Sequence, residues 1–511
     1  MSAPKQQSRL WLSLAAMISV AQVGLIWWHR FIPLYDYPNW LYQSRILADL
    51  LRGGATFGSH YAIRWLPVPN VTFTIGTALL GTVFPYEVSG KILLSAAVLF
   101  FPWAVRFAAL RCGVPEVSAI SLIGFPFGIS MFTLNAQNYT LALVLLFLFM
   151  PMWMRGFERF SRVTWVMLSG ALILLYFTHG VVFLVALLAL IVAVWSKPAS
   201  IKTRAALASV PALLLGMWYV LGSGAPLTVL PSWGIPVLAR HFVKPACIFF
   251  KSHGITPPFP PTPLNLVWMT LLVVMLAVAI RAAYQRGTLN RGLAVVGGVL
   301  LVLGFLLPDP AFGVVQPGAR FVFPAIFIMF FAVGTTDLST WWRPLILGFA
   351  LLALVNNVLL FNTFNQRANG LDSILANPAS LREPVYIIGL DWSSESDFSS
   401  RVSPSINAMS FVPLYALAER HIPYGIFETG LVTMKDSLRL LHPEIRGSDI
   451  QAWYASMFSD PHRFLAYHSI LLFADRKMGE EAEKRLSGMG FMTRFSSPGW
   501  RLLLSSSEDP Q

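Results

Sequence analysis

Charge is what this sequence has least of. Asp, Glu, Lys and Arg make up 12% of its 511 residues, against roughly 25% in a soluble domain. With 56% hydrophobic residues and a mean hydropathy of +0.62, that scarcity excludes an ordinary soluble enzyme and predicts a polytopic membrane protein. Acids are rarest early: residues 1–362 hold 7 Asp and Glu against 23 Lys and Arg, whereas residues 363–511 hold 17 against 14. Cysteine is nearly missing. Cys112 and Cys247 are the two; they form no metal-ligand spacing and fall on opposite sides of the membrane in the topology below, so no disulfide between them is expected. No Walker motif, zincin pattern or nucleophile elbow occurs.

What is present is a series of apolar runs punctuated by basic loops. A net charge of +13 and a pI of 9.9 would suit nucleic acid, but these cations lie in short loops between apolar runs, which is how membrane orientation is encoded. No nucleic-acid partner is expected. A span needs about 20 apolar residues, and eleven runs qualify or nearly so, beginning near residues 10, 86, 117, 139, 164, 180, 205, 264, 292, 321 and 343. With the amino terminus in the cytoplasm, 14 basic residues of this part fall inside and 9 outside, mostly in long loops that count for less. The first run follows Lys5 and Arg9 and ends on Trp27-Trp28-His29-Arg30, an interfacial ending that marks an uncleaved span, not a signal peptide.

The loops divide the chain further. Residues 33–85 read as one long external loop with two helices lying along the interface, residues 40–52 and about 71–83; the first carries Leu41, Ile46, Leu47 and Leu50 among Arg45, Asp49 and Arg52. The apolar stretch 164–195 is too long for one span and holds Thr178-His179-Gly180 at its middle, so two short helices meeting at an external turn are expected. Residues 222–263, with Pro257-Pro258-Phe259-Pro260-Pro261, read as an irregular external loop, either a lid or a passive connector. From residue 363 the composition becomes that of a soluble domain. Strands at 384–391 and 469–475, a charged helix at 478–487 and a closing pair at 491–495 and 500–504 predict a small external α/β domain. The expected architecture is therefore an α-helical polytopic membrane domain over residues 1–362 and a soluble domain over 363–511.

This topology places a small set of polar groups on the external face. Asp36, in Pro33-Leu34-Tyr35-Asp36-Tyr37-Pro38-Asn39, and Arg64 lie in the first loop; Asn135, Gln137 and Asn138 at the next turn; His179 at the third; Asp309 and Arg320 in the last. An ionisable group at the membrane edge is a functional candidate by default. Each also has a plainer reading. Asp36 caps the helix after it, Arg320 snorkels to the interface, and His179 bonds across a helix turn. A carboxylate can deprotonate an acceptor hydroxyl, and the planar fork of an arginine pairs two phosphate oxygens.

With an aromatic-rich Asp36-x-Pro38-Asn39 after the first span, a short-helix pair meeting at Tyr176-Phe177-Thr178-His179-Gly180, and Gly318-Ala319-Arg320-Phe321-Val322-Phe323-Pro324 opening a late span, the chain resembles the integral-membrane glycosyltransferases of the GT-C fold. The resemblance implies an inverting transfer of a sugar from a polyprenyl-phosphate carrier to a lipid, glycan or protein acceptor on the external face, and a place in the inner membrane of a bacterium. It implies Asp36 as general base or metal ligand and Arg320 as a phosphate contact; Arg64, Asn135, Asn138, His179 and Asp309 stand as substrate-binding candidates from their placement on the same face. Family members often set a second acid where this chain offers Asn135 and Asn138, so no cofactor is certain and dependence on a divalent metal is an open expectation; Asp309 would be the substitute. Two rival readings stand beside it. A lipid or glycan flippase would need polar groups along mid-membrane helices, which are largely lacking, and a catalytically inactive relative would serve envelope assembly.

Overall fold

The computed structural model describes residues 3–34, 37–114, 137–155, 161–222, 263–307, 317–334, 342–375 and 383–389, and toward the carboxy terminus 412–415, 417, 422–424, 431–435, 464, 467–473, 476–497 and 500–506. The chain is mostly helical. Four described helices are long and apolar enough to cross a membrane, by length and composition: Arg9–Trp28, Tyr86–Arg111, Ala199–Gly222 and Trp342–Asp372. Shorter apolar helices accompany them, and helices stand at every expected run except the one near residue 117, which lies outside the described residues. In chain order the helices are α1 (Ala3–Trp28), α2 (Tyr37–Leu51), α3 (Ala55–Gly58), α4 (Thr72–Leu80), α5 (Tyr86–Arg111), α6 (Gln137–Arg155), α7 (Arg162–Thr178), α8 (Gly180–Trp195), α9 (Ala199–Gly222), α10 (Pro263–Gln285), α11 (Arg291–Leu306), α12 (Pro317–Val333), α13 (Trp342–Leu375) and α14 (Arg476–Ser487). The strands are β1 (Tyr61–Ile63), β2 (Val385–Gly389), β3 (Val432–Met434), β4 (Ser469–Phe473), β5 (Phe491–Ser497) and β6 (Trp500–Ser505).

The chain forms two compact units. The first comprises Met1–Leu25, Leu66–Phe73 and Leu93–Asn357. Its core is built from α5 to α13, and aromatic rings run through it: Phe323, Phe327 and Phe331, four residues apart on one face of α12, meet Phe101 of α5 and Phe147 of α6 at centroid distances of 5.5–6.2 Å. Helices α11 and α12 approach closely because glycines face each other; a Cβ on Gly318 would collide with the carbonyl oxygen of Gly304. Small residues at a helix contact are the usual device where lipid removes the hydrophobic drive to associate.

The second unit comprises Ile26–Trp65, Thr74–Ile92 and Val358–Gln511. The amino-terminal segment and the carboxy-terminal part are bound together here. β1 pairs antiparallel with β3, and Arg64 N–H extends the pairing to Leu431 O at 2.7 Å. The Tyr42 hydroxyl lies 2.9 Å from that of Tyr61 and donates to Ile422 O, while Tyr61 accepts from Tyr424 N–H. Asn365 on α13 accepts from Phe31 N–H and donates to Phe31 O. The four-stranded sheet has the order β2-β4-β6-β5, with β2 parallel to β4 and the other pairs antiparallel. α14 closes one face, with Ala482 and Leu486 packed on Tyr386, Ile470, Leu472 and Leu503.

One element departs from its sequence pattern. α2 is not amphipathic in effect: from Tyr37 to Ala48 every residue is buried except Arg45, which is half-buried. Arg45 stacks over the Tyr86 ring at 4.8 Å. The polar residues Asn39, Gln43 and Ser44 are as buried as the apolar ones. A stripe of charge in the sequence reads as solvent contact, but here the long arginine stem is covered by an aromatic neighbour.

Candidate functional site

The site starts from a break between two helices. α7 ends at Thr178 and α8 begins at Gly180, and His179 between them has an extended backbone (φ −163°) that lets one residue close the first helix and open the second. Its N–H bonds Leu175 O and its carbonyl accepts from Phe183 N–H. The ring makes no capping bond and is available for other work.

That ring meets Arg320 in the first turn of α12. Arg320 Nη1 lies 3.0 Å from His179 Nε2. Burial first, and the Arg320 guanidinium second, push the imidazole well below its ordinary range, so the ring is neutral and Nε2 accepts from the guanidinium. In that tautomer Nδ1 carries the proton, and this buried atom has no hydrogen-bond partner among the described residues. Tyr139 of α6 locks the pair: its ring packs edge-on against His179 at 5.1 Å, and its hydroxyl donates to Arg320 O at 2.9 Å. A neutral imidazole orients a guanidinium without cancelling its charge, which is the chemistry of an oxyanion clamp.

The segment 66–73 forms the wall beside this pair. Tyr176 donates to Pro67 O at 2.6 Å, Val71 N–H bonds Phe177 O at 2.8 Å, and the hydroxyls of Thr72 and Thr178 are 3.0 Å apart. Asn70 takes the left-handed conformation (φ 65°), which asparagine tolerates better than most residues, and its side chain accepts from Gly180 N–H. Asn138 then grips the same segment from α6, accepting from Phe73 N–H at 2.9 Å and donating to Asn70 O at 2.8 Å. Its carbonyl is thereby committed to backbone, which leaves it poorly placed to ligate a metal. Among the described residues no grouping of three or more His, Cys, Asp or Glu suits a metal ion.

Of the residues singled out from the sequence, His179 and Arg320 are brought into direct contact, and Asn138 stands next to Tyr139, which touches both. Arg64 belongs to the second unit, beside β1. Asp36, Asn135 and Asp309 lie outside the described residues. The chain is similar to two solved structures. They are the crystal structures of ArnT from Cupriavidus metallidurans in the apo state and bound to undecaprenyl phosphate. Each match covers 100% of this chain and 100% of that chain, at 14% identity and TM-score 0.44 for the first and 12% and 0.48 for the second. No family model matches the sequence, and no curated protein matches it.

Of the residues touching the pair, Tyr139 was not among the site candidates; Gln137 was named only as a polar group of the same turn as Asn138. Tyr139 offers no sequence signal, since an aromatic residue entering an apolar run is the commonest membrane-interface feature. Gln137, the first residue of α6, is 2% exposed, and neither its amide oxygen nor its amide nitrogen has a hydrogen-bond partner among the described residues. A buried amide left empty is costly and in a binding protein marks a place where a ligand offers both a donor and an acceptor.

Proposed function

We propose that this chain is an inverting glycosyltransferase that moves a sugar from a polyprenyl-phosphate carrier to a lipid, glycan or protein acceptor on the external face of a bacterial inner membrane. The observation that carries the reading is the Arg320–His179 pair, a guanidinium held by a neutral imidazole at 3.0 Å. A sugar phosphate brings its own leaving group, so the protein has two tasks: to take a proton from the acceptor hydroxyl and to steady the departing phosphate. Asp36 is assigned the first. Its carboxylate accepts the hydroxyl proton as the oxygen attacks the anomeric carbon, the bond from that carbon to the phosphate oxygen breaks with inversion, and Arg320 receives the phosphate. His179 orients Arg320 and turns its own Nδ1–H to the same anion or to the sugar. Asn138 is a positioning residue, and Arg64, Asn135 and Asp309 are assigned to substrate. The topology that goes with this reading has eleven spans, a cytoplasmic amino terminus, a membrane domain over residues 1–362 and an external α/β domain over 363–511.

The test compares surface glycans and glycolipids of cells with and without the chain, then of cells carrying Asp36→Asn at equal abundance in the membrane. Loss of a sugar from one acceptor, restored by the wild type and not by the variant, is the expected result. Full restoration by Asp36→Asn would remove Asp36 from the chemistry. Unchanged sugars with a lipid redistributed between leaflets would favour a flippase instead.

A further inference from the structure

Arg343 opens α13, ten residues after the end of α12. Within the first unit α13 turns one stripe to the core: Ile346, Ala350 and Ala353 are at most 2% exposed, and they lie three, seven and ten residues beyond Arg343, the spacing of a single helix face. Arg343 starts that stripe and is itself only 7% exposed. Trp342 and Phe349 beside it pack into the same apolar core, with Phe349 against Trp268 at 4.4 Å. The buried Nε of Arg343 has no hydrogen-bond partner, and no ion pair or hydrogen bond reaches its guanidinium among the described residues. Arginine cannot shed its proton to escape such a place, and an ionised group taken out of water without a counter-charge is strongly unfavourable. Water would satisfy its N–H groups but not its charge.

A second feature points the same way. The guanidinium sits in the first turn of a 34-residue helix, where the free backbone N–H groups and the helix dipole also favour an anion. It is not part of the Arg320 site: α12 carries about 20 Å of helix between Arg320 and its last residue, and none of the described groups that hold Arg320 or His179 bonds Arg343. We propose that Arg343 anchors a second anion site that takes a phosphate oxyanion, presented either by a lipid headgroup or by free phosphate, and that this ligand supplies a counter-charge not found among the described residues.

The test uses the full chain purified in an uncharged detergent and phosphate-free buffer, with thermal unfolding as readout and two probes, inorganic phosphate and short-chain phosphatidylglycerol. At least one probe should raise the melting temperature of Arg320→Met, which lacks the phosphate contact of the proposed catalytic site, by several degrees and leave the double variant Arg320→Met, Arg343→Met unmoved. Without probe, Arg343→Met should melt above the wild type, because a largely buried cation with no counter-charge among the described residues has been removed. A shift with phosphate alone assigns the site to the free ion, and one with the lipid only to a headgroup. No shift of Arg320→Met with either probe, or an equal shift in the double variant, overturns the proposal. Should the methionine variant fail to fold, Arg343→Lys keeps a cation but loses the two-pronged geometry, so about tenfold more probe should be needed for the same shift; an unchanged concentration dependence would overturn the proposal as well.

Discussion

His179 is the residue on which the first unit's polar chemistry turns, and its neutrality has a measurable cost. In the folded chain burial and Arg320 hold the imidazole well below 6.5, while in the unfolded chain it titrates near its ordinary value. The unfolded state therefore binds more protons just below that value, so the stability due to the neutral ring is complete above pH 6.5 and is lost as the pH falls through the acid range. His179→Gln keeps an acceptor for Arg320 and removes the titration. Melting temperatures measured from about pH 7 down to about pH 5 should fall less steeply in that variant, by the equivalent of about 1 to 2 kcal/mol; parallel slopes would mean that the ring is charged in the folded state. His179 and Arg320 were both legible in the sequence, one as a histidine interrupting an apolar stretch, the other as a cation opening a late one. Their contact was not, because 141 residues separate them and nothing in the local pattern of either indicates the other. Asn138 was legible as a polar residue at a turn but not in its role, since both its partners come from a segment more than sixty residues earlier.

At the scale of elements, the placing of Arg320 depends on how closely α12 can lie against α11. Gly318 is two residues before Arg320, and a Cβ there meets the Gly304 carbonyl, which is backbone and cannot turn aside. Alanine ordinarily stabilises a helix interior over glycine by roughly 0.5–1 kcal/mol. Gly318→Ala should do the opposite, costing about 1–3 kcal/mol through overpacking, visible as a lower melting temperature of the purified chain. An unchanged or higher value would show that α11 and α12 separate without penalty. Most helices were legible from hydropathy alone, down to the break at His179, because an apolar run in a membrane protein has few alternatives to helix. The burial of α2 from Tyr37 to Ala48 was not. Its pattern of Arg45, Asp49 and Arg52 among leucines is that of a surface helix, and only the aromatic cover over Arg45 and the fold of Asp49 back onto Phe57 N–H change its meaning.

At the scale of the whole molecule, residues 363–511 read as an appended soluble domain, and β2, β4, β5 and β6 join in one four-stranded sheet. The second unit nevertheless includes residues 26–65. Deleting residues 363–511 would strip β1 of its partner strand, Tyr42 and Tyr61 of the carbonyls of Ile422 and Tyr424, and Phe31 of Asn365. Each buried hydrogen bond of this kind contributes on the order of 1 kcal/mol, and more is lost when one partner stays buried and unmet. The truncated chain should therefore be cleaved by added protease within residues 26–65, where the full chain resists; equal resistance would show that the amino-terminal segment folds by itself.

The pairing of β1 with β3 also sets a schedule for biogenesis. About 370 residues must be polymerised after Ile63 before its partner strand exists, which at roughly 5–20 residues per second is about twenty seconds to just over a minute. Throughout that interval a short strand with open edges waits on a nascent chain that is still threading into lipid, a hazard for mispairing with other chains. Whatever escorts this protein during translocation has to shield that strand until the last quarter of the polypeptide arrives.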